Sequence, residues 1–145
     1  MLLKRLQAGD REQASALFTL MAEVFDEEAQ PLSAAYLNQL LNRETFWAIG
    51  AFDGEQVLGG VTAHTLPMTR NETAEIFIYD LAVDPAFQRQ GIGRRLISEL
   101  RTQAAAVGIN VLFVPADNED LEALEFYRAL GAQASPVTFF TFDGV

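Results

Sequence analysis

The sequence predicts an α+β domain in which helices flank a mixed, mostly antiparallel sheet. Three observations support this fold class. Four segments place apolar residues at helical spacing, and six others are short apolar runs typical of strands. They follow one another in the order β, α, α, β, β, β, α, β, α, β. A length of 145 residues and a hydrophobic fraction of 50% predict a single domain, 1–145, whose core needs neither disulfides nor a structural metal.

The N-terminal part is predicted to form a short strand and two helices. The strand covers Leu2–Leu6, and the first helix follows Asp10. Its apolar positions are Ala14, Leu17, Phe18, Met21, Val24 and Phe25. The helix ends in the acidic run Asp26–Glu28, which lies at the unfavourable end of the helix dipole and so suggests a role beyond solubility. A second short helix begins near Ser33.

The middle of the chain is predicted to form three strands. Phe46–Phe52 and Gln56–Leu66 are apolar runs joined by Asp53-Gly54, which is a strong hairpin signal. Ala74–Val83 has apolar residues at both its odd and its even positions, as expected for a central strand that is covered on both faces. Asp80 is the one carboxylate in the apolar part of this strand.

The C-terminal part is predicted to alternate helices and strands. Gly91–Val107 and Leu121–Leu130 have helical periodicity, and Ile109–Val114 reads as a strand between them. Val137–Phe142 is rich in β-branched and aromatic residues and predicts a last strand. An aromatic strand left at a sheet edge would promote aggregation, so a homodimer contact could cover it.

Composition excludes several classes of site. With no cysteine and one histidine, the chain has no thiol nucleophile, no thiolate metal site and no multi-histidine metal site, so we expect no metal. A net charge of -10 disfavours nucleic acid and favours cationic partners, although surplus acid also serves solubility alone. The N-terminus does not read as a signal peptide and no apolar run would span a membrane, so we expect a cytoplasmic protein with no membrane partner.

A glycine-containing turn between a predicted strand and a predicted helix is the clearest motif. It reads Gln88-Arg89-Gln90-Gly91-Ile92-Gly93, followed by Arg94 and Arg95. The free N–H groups of a helix's first turn attract anions, and the arginines add positive charge, so the turn could hold a diphosphate. A dinucleotide fold or a kinase-like loop would require other spacings. The motif alone also fits a simple helix start.

Two motifs together resemble the GNAT superfamily of acyl-CoA N-acyltransferases. They are the turn just described, preceded by Asp80-Leu81-Ala82-Val83, and the later segment Ala123-Leu124-Glu125-Phe126-Tyr127-Arg128-Ala129-Leu130-Gly131. The resemblance implies an α/β/α sandwich with six to seven strands and about four helices. It also implies acetyl-CoA as cosubstrate, bound by Leu81, Ala82, Val83, Gln88, Arg89, Gln90, Gly91, Ile92, Gly93, Arg94, Asp120, Ala123 and Tyr127. Asp120 could equally be only a helix N-cap.

The chemistry of amine acetylation points to two catalytic residues. The acceptor amine arrives as an ammonium and must lose a proton, which Asp80 could accept directly or through water. The alternative for Asp80 is a carboxylate satisfied by a backbone N–H. Backbone N–H groups around Leu81–Val83 could stabilise the oxyanion. Tyr127 could protonate the departing thiolate, a role that only its match to the superfamily's tyrosine favours over simple packing.

A closer resemblance, over most of the chain, is to the aminoglycoside 3-N-acetyltransferases. It is carried by Glu75–Val83, Leu66-Pro67 and the 116–127 segment. It implies direct acetylation of a gentamicin-like aminoglycoside, hence resistance, with the substrate held by Asp26, Glu27, Tyr79, Asp80, Asp117, Asn118 and Glu119. Gly93 and Asn118 depart from that group, where alanine and an aromatic residue are common. Alternative acceptors are a polyamine, a small amine or a protein N-terminus, and a non-catalytic acyl-CoA-binding module is a further alternative.

Overall fold

A computed structural model describes residues 1–144, which divide into two compact units, Met1–Pro115 and the residues that follow it. The first unit contains a five-stranded sheet and three helices. Its elements are β1 (Leu2–Arg5), α1 (Arg11–Val24), α2 (Ala34–Leu41), β2 (Phe46–Asp53), β3 (Gln56–Pro67), β4 (Ala74–Val83), α3 (Ile92–Ala106) and β5 (Leu112–Phe113).

The sheet is antiparallel from β1 to β4 and parallel at its last pair. Its strands lie in chain order, β1-β2-β3-β4-β5. β2 and β3 form the hairpin that Asp53-Gly54 predicted, with Asp53 paired to Gln56. β5 runs parallel to β4 and pairs with it only at Ile76 and Phe77. β4 is therefore an interior strand for its first part and has a strand partner on only one side thereafter.

The two faces of the sheet carry separate layers of core residues. One layer joins α1 and α2 to the sheet and includes Leu17, Met21, Leu37, Phe46 and Ala82. Ile49, Val61 and Ile76 lie on the other face of the sheet and are fully buried, and α3 packs against these same strands. Full burial of such aliphatic side chains contributes about 1.5–3 kcal/mol each, so both layers fix the position of β4.

The second unit, described over residues 116–144, contains one helix. This is α4 (Leu121–Ala129), and Asp120 precedes it as N-cap, accepting a hydrogen bond from the Ala123 N–H at 3.1 Å. The N-cap interpretation of Asp120 is thus confirmed. Along residues 1–144, none of the helices has both the length and the hydropathy that a membrane span requires.

The predicted fold class is confirmed, but the strand count is lower than predicted. Val137–Phe142 is not a strand, and the predicted strand Ile109–Val114 shortens to Leu112–Phe113. Strand-forming residues become a strand only where a neighbouring backbone accepts and donates the ladder hydrogen bonds. Within residues 1–144, no backbone hydrogen bond engages the 137–142 segment.

Candidate active site

A β-bulge in β4 sets the position of Asp80. Thr62 of β3 pairs with Asp80, whereas the next residue, Ala63, pairs with Ile78, so Tyr79 is an extra residue on β4. A bulge bends the strand and re-aims the side chains beside it. Asp80 pairs opposite Thr62, which is itself buried, and it shares a sheet face with Ala82 and with the core layer beneath α1.

Asp80 is a half-buried carboxylate without a cation beside it. Within residues 1–144 it has neither a salt bridge nor a side-chain hydrogen bond. Its burial, and secondarily the negative charge of Glu27, raise the pKa of the Asp80 carboxyl above its ordinary value. A carboxylate whose charge is disfavoured by its surroundings is a better base than a solvated one, and it attracts a cationic ligand.

The turn after α1 brings Glu27 within electrostatic reach of Asp80. Asp26 adopts a left-handed conformation, with φ of 53°, at the position after the helix where glycine is usual. The Glu27 N–H closes the turn by donating to the Ala22 carbonyl at 2.9 Å. The acidic end of α1 therefore faces the middle of β4, which gives a structural reason for acids at an end of the helix that the dipole disfavours.

A row of aromatic rings lies across the sheet beside Asp80. Tyr79 packs edge-on against His64 with ring centroids 5.8 Å apart and lies 6.1 Å from Phe77. Phe77 in turn contacts Phe113 at 5.1 Å. Tyr79, within this row, remains 64% exposed, so an accessible ring is next in sequence to the half-buried carboxylate.

The later part of β4 has a free edge. β5 pairs only with Ile76 and Phe77, so the strand from Ile78 to Val83 has β3 as its single partner among the described residues. Leu81 and Val83, for which the family resemblance implies binding of an extended ligand arm, lie in this part. Such an edge accepts an additional extended chain through main-chain hydrogen bonds.

The turn that follows β4 is shaped by local hydrogen bonds and positive φ angles. A single 3₁₀ turn at Pro85–Phe87 is capped by Asp84, and the Gln88 side chain donates to the Val83 carbonyl at 3.2 Å. Arg89 has a φ of 62° and Gly91 a φ of 80°. Gln88 therefore ties the turn back to the strand, and Gly91 supplies the left-handed residue that starts α3.

The first turn of α3 presents unpaired N–H groups next to positive charge. The Arg95 N–H bonds to the Gly91 carbonyl at 3.1 Å, whereas the N–H groups of Ile92, Gly93 and Arg94 have no acceptor within residues 1–144. The side chains of Arg89, Arg94 and Arg95 are exposed. No described ion pair neutralises these three arginines. The donors and charges fit a diphosphate group.

The second unit holds the remaining predicted residues. Asp117, Asn118 and Glu119 are exposed in the segment before α4, where the Asp117 carboxylate accepts the Glu119 N–H at 2.9 Å. Within α4, Tyr127 packs against Phe126 with centroids 5.1 Å apart. Burial, and then the negative charge of Asp120, raise the pKa of Tyr127 to about 12. Tyr127 is therefore a protonated, weakly acidic phenol over the whole physiological range.

The first unit brings together most of the residues that were predicted to form the site. It also shows one feature of the site that was not predicted from the sequence. Asp80, Tyr79 and the acidic end of α1 adjoin one another, and the free edge of β4 leads from Asp80 into the glycine turn. The aromatic contacts of Tyr79 with His64 and Phe77 were not assigned to the site. Phe77 and Tyr79 alternate along β4, which is the sequence signal that could have identified this row.

Family and structural comparisons agree on one family. The model of the acetyltransferase (GNAT) family matches residues 12–132. The solved structure of the aminoglycoside acetyltransferase meta-AAC0020 from an uncultured soil metagenomic sample, in complex with sisomicin, superimposes with a TM-score of 0.92. It is 32% identical to this chain, and the match covers 99% of this chain and 96% of that one.

Two curated mycobacterial proteins are also similar to this chain. The N-alpha-acetyltransferase RimI of Mycobacterium tuberculosis (strain ATCC 25618 / H37Rv) is 32% identical over 123 residues, which are 85% of this chain and 74% of that protein. The uncharacterized protein ML0378 of Mycobacterium leprae (strain TN) is 34% identical over 116 residues, 77% of this chain. The chain spans only 30% of the length of that second relative.

Proposed function

This chain belongs to the acetyltransferase (GNAT) family, and we propose that it moves the acetyl group of acetyl-CoA directly onto the 3-amino group of a gentamicin-like aminoglycoside. Such a reaction would confer resistance to the antibiotic. The observation that carries the proposal is Asp80, a half-buried carboxylate with a raised pKa, no neighbouring cation and an exposed aromatic ring beside it. A polycationic sugar supplies the missing positive charge and an apolar ring face.

The residues present fit acetyl-CoA. The unpaired N–H groups at the start of α3 and the side chains of Arg89 and Arg94 would hold its pyrophosphate, with Gln88, Gln90, Gly91, Ile92 and Gly93 forming the turn around it. The backbone of Leu81, Ala82 and Val83 would pair with the pantetheine arm along the free edge of β4. Acetyl-CoA supplies the acetyl group as an activated thioester. In the second unit, Asp120 and Ala123 would also bind acetyl-CoA.

Asp80 prepares the acceptor amine. Its negative charge binds the ammonium, and its raised pKa makes it a stronger proton acceptor than a solvated aspartate. Backbone N–H groups of Leu81–Val83 would donate to the acetyl oxygen, where negative charge develops during attack. The chain has no cysteine that could form an acyl-enzyme, which is consistent with direct attack by the amine on the thioester.

Tyr127 is proposed to donate a hydrogen bond to the leaving thiolate of CoA. With a pKa of about 12, its phenol carries a proton throughout the reaction and donates a hydrogen bond to the developing thiolate. Full proton transfer to a thiolate of pKa ~8.5 would be uphill by roughly 5 kcal/mol, at about 1.4 kcal/mol per pKa unit. The proposed role is therefore hydrogen-bond donation: Tyr127 keeps its proton, and the departing thiolate is released as the anion, which solvent can protonate.

Further acids are proposed to bind the acceptor. Glu27 and Asp26 follow α1, and Tyr79 would stack against the apolar face of a sugar ring. Asp117, Asn118 and Glu119 would add carboxylate and amide acceptors for further ammonium groups. Exposed carboxylates bind polycations with little directional preference, so Asp80 and Tyr79 are expected to determine which amine is acetylated.

A second candidate acceptor is a protein N-terminus. The observation that favours it is the 32% identity with an N-alpha-acetyltransferase over 85% of this chain. An N-terminal α-amino group carries at most one positive charge and is about half neutral near pH 8, whereas a substrate with several ammonium groups needs several acids. The exposed acids at the end of α1 favour the polycation.

Turnover on a panel of amines tests the proposal. Thiol release from acetyl-CoA would be followed with gentamicin, sisomicin, spermidine and an alanine-terminated peptide, and the acetylated nitrogen would be identified by NMR. We expect an aminoglycoside to give the highest kcat/KM, with acetylation at the 3-amino group. Preference for the peptide would replace the aminoglycoside assignment by the second candidate, and CoA binding without turnover on any amine would indicate a binding module.

Substitution of Asp80 tests the mechanism. Asp80→Asn should lower kcat/KM by about 10²–10⁴-fold, as expected on loss of a general base, while CoA affinity stays within a factor of about two. Asp53→Asn changes an exposed carboxylate in the β2–β3 hairpin and is the matched control. An Asp80→Asn enzyme with near-normal activity would remove Asp80 from the mechanism.

A further inference from the structure

Tyr79 is the residue of β4 whose side chain the strand ladder does not hold. The bulge leaves it without a partner in the register with β3, and β5 pairs with β4 only at earlier residues. Its side chain is 64% exposed. An exposed side chain samples several rotamers unless neighbouring groups hold it, and ordering it when a ligand binds lowers the affinity. Contacts outside the ladder must therefore hold the ring if it is to be in place before the acceptor binds.

His64 of β3 makes the closer of the two aromatic contacts that Tyr79 has within residues 1–144. The centroids of the two rings are 5.8 Å apart and their planes cross at 78°, whereas Phe77 lies 6.1 Å from Tyr79. His64 and Phe77 pair across the two strands and therefore share one face of the sheet, over which the Tyr79 ring lies. Asp80 pairs with Thr62, two residues before His64, so its carboxylate is on that face as well. The bulge thus brings Tyr79 and Asp80 to the same face, with His64 against the ring.

His64 is anchored to the core on its other side. It pairs with Phe46 of β2, and the two rings lie 5.4 Å apart. Phe46 is 7% exposed and belongs to the core layer beneath α1 and α2, where Phe18 of α1 packs edge-on against it at 6.4 Å. The half-buried imidazole of His64 makes no hydrogen bond within residues 1–144. Ring packing therefore links Tyr79 through His64 to a buried phenylalanine.

We propose that His64 is a positioning residue, which holds the Tyr79 ring beside Asp80 so that the ring is already in place when the acceptor binds. The Tyr79 ring would then pack against the apolar face of a sugar ring while Asp80 binds the ammonium. Holding one side chain in advance is worth a factor of about 2 to 12 in affinity. This inference rests on the proposed function, because it requires Tyr79 to contact the acceptor.

Two substitutions of His64 test this role through the kinetic constants. His64→Leu keeps apolar bulk but removes the ring, so the KM for gentamicin should rise about 2- to 12-fold, while kcat and the KM for acetyl-CoA stay within a factor of about two. His64→Phe retains an aromatic ring and should restore the wild-type KM. Val57→Ala truncates another half-buried side chain of β3 that packs on the same core, and as matched control it should leave the KM unchanged. A wild-type KM in His64→Leu, or equal KM values in the leucine and phenylalanine variants, would overturn the proposal.

A double substitution shows whether His64 acts through Tyr79. In a Tyr79→Ala enzyme, His64→Leu should raise the KM no further, because the ring that His64 holds is already absent. A further rise as large as that in the wild-type background would mean that His64 acts on the acceptor independently, which contradicts the positioning role.

The imidazole of His64 is a direct reporter of the contact, because His64 is the one histidine of the chain. Its C–H signals can be assigned in proton NMR spectra without interference from another histidine. Tyr79→Leu removes the ring current beside the imidazole and should shift these signals, whereas Tyr36→Leu, on α2, should leave them in place. Signals that do not move in Tyr79→Leu would refute the contact.

The choice of acceptor separates this inference from the proposed function. If another amine of the panel is turned over faster than gentamicin, the KM comparison of the His64 variants is made with that amine. Preference for the peptide would contradict the proposed function and leave the NMR comparison unaffected, because that comparison needs no acceptor. An unchanged KM in His64→Leu with a good aminoglycoside substrate would contradict the role of His64 and leave the proposed function standing.

Discussion

The raised pKa of Tyr127 leads to a test that combines stability and catalysis. Burial and the neighbouring charge of Asp120 raise its pKa to about 12, two units above the 10.0 of a free tyrosine. In the unfolded chain the phenol is solvated and ionises near its ordinary value. Between these two values the unfolded state loses a proton that the folded state keeps, so folding stability falls as pH rises.

The size of the effect follows from the two pKa values. The stability that Tyr127 contributes is fully present below pH 10 and is lost as pH rises through 12. At pH 11 the two-unit difference corresponds to a loss of about 1.4 kcal/mol. Because the ring is only partly buried, solvent screening should reduce the measured loss to about 1 kcal/mol.

Urea unfolding of matched variants would measure this loss. The free energy of unfolding would be determined at pH 8 and pH 11 for the wild type, Tyr127→Phe and Tyr36→Phe. Tyr127→Phe should be less sensitive to the pH change than the wild type by about 1 kcal/mol, because phenylalanine does not ionise. Tyr36→Phe replaces an exposed tyrosine and should behave like the wild type. Equal pH sensitivity in the wild type and Tyr127→Phe would refute the raised pKa.

The same substitution distinguishes two catalytic roles for Tyr127. A hydrogen bond to a charged group contributes about 1.5–3 kcal/mol, so Tyr127→Phe should lower kcat by roughly 10- to 150-fold. Loss of a full general acid would lower kcat by up to about 10⁴-fold. We expect the smaller loss, and a decrease above 10³-fold would show that Tyr127 transfers its proton in spite of its raised pKa.

Three further predictions concern the first unit. Glu27→Gln removes one of the two causes that raise the pKa of Asp80, so the acid limb of the kcat/KM–pH profile should move to lower pH. An unmoved limb would show that the charge of Glu27 does not affect the pKa of Asp80. Gly59→Ala should lower the free energy of unfolding by about 1–3 kcal/mol in urea titrations, since a Cβ would lie 2.6 Å from the Ala82 carbonyl oxygen. Gly91→Ala should destabilise by about 1–2 kcal/mol because of its φ of 80°, with Gly91→Asn losing less than alanine.

The sequence predicts those parts of this molecule that depend on short-range patterns. The helical spacing of apolar residues predicts α1 and α3, and Asp53-Gly54 predicts the hairpin. Each of these patterns is local, because it involves only residues that are close together in the sequence. Asp80 was identified for a related reason. A charge inside an apolar strand is conspicuous without knowledge of any partner, because burying it is costly unless something compensates.

Features that depend on a partner strand or on a second element were not predictable in the same way. The bulge at Tyr79 depends on the pairing of β4 with β3, and nothing in the sequence of β4 alone fixes that register. The proximity of Glu27 to Asp80 depends on the left-handed conformation of Asp26. The Val137–Phe142 strand was predicted from composition, but composition cannot supply the neighbour that a strand requires.

The continuity of β4 with the glycine turn explains why one short stretch of this chain carries so much of the proposed site. Asp80, the free edge that follows it and the start of α3 are consecutive in sequence and are held by the two core layers on either side of β4. Their mutual positions are therefore set by the core and not by mobile loops, which is what alignment of an amine with a thioester requires. A substitution that shifts β4, such as Gly59→Ala, should consequently lower kcat even in molecules that remain folded.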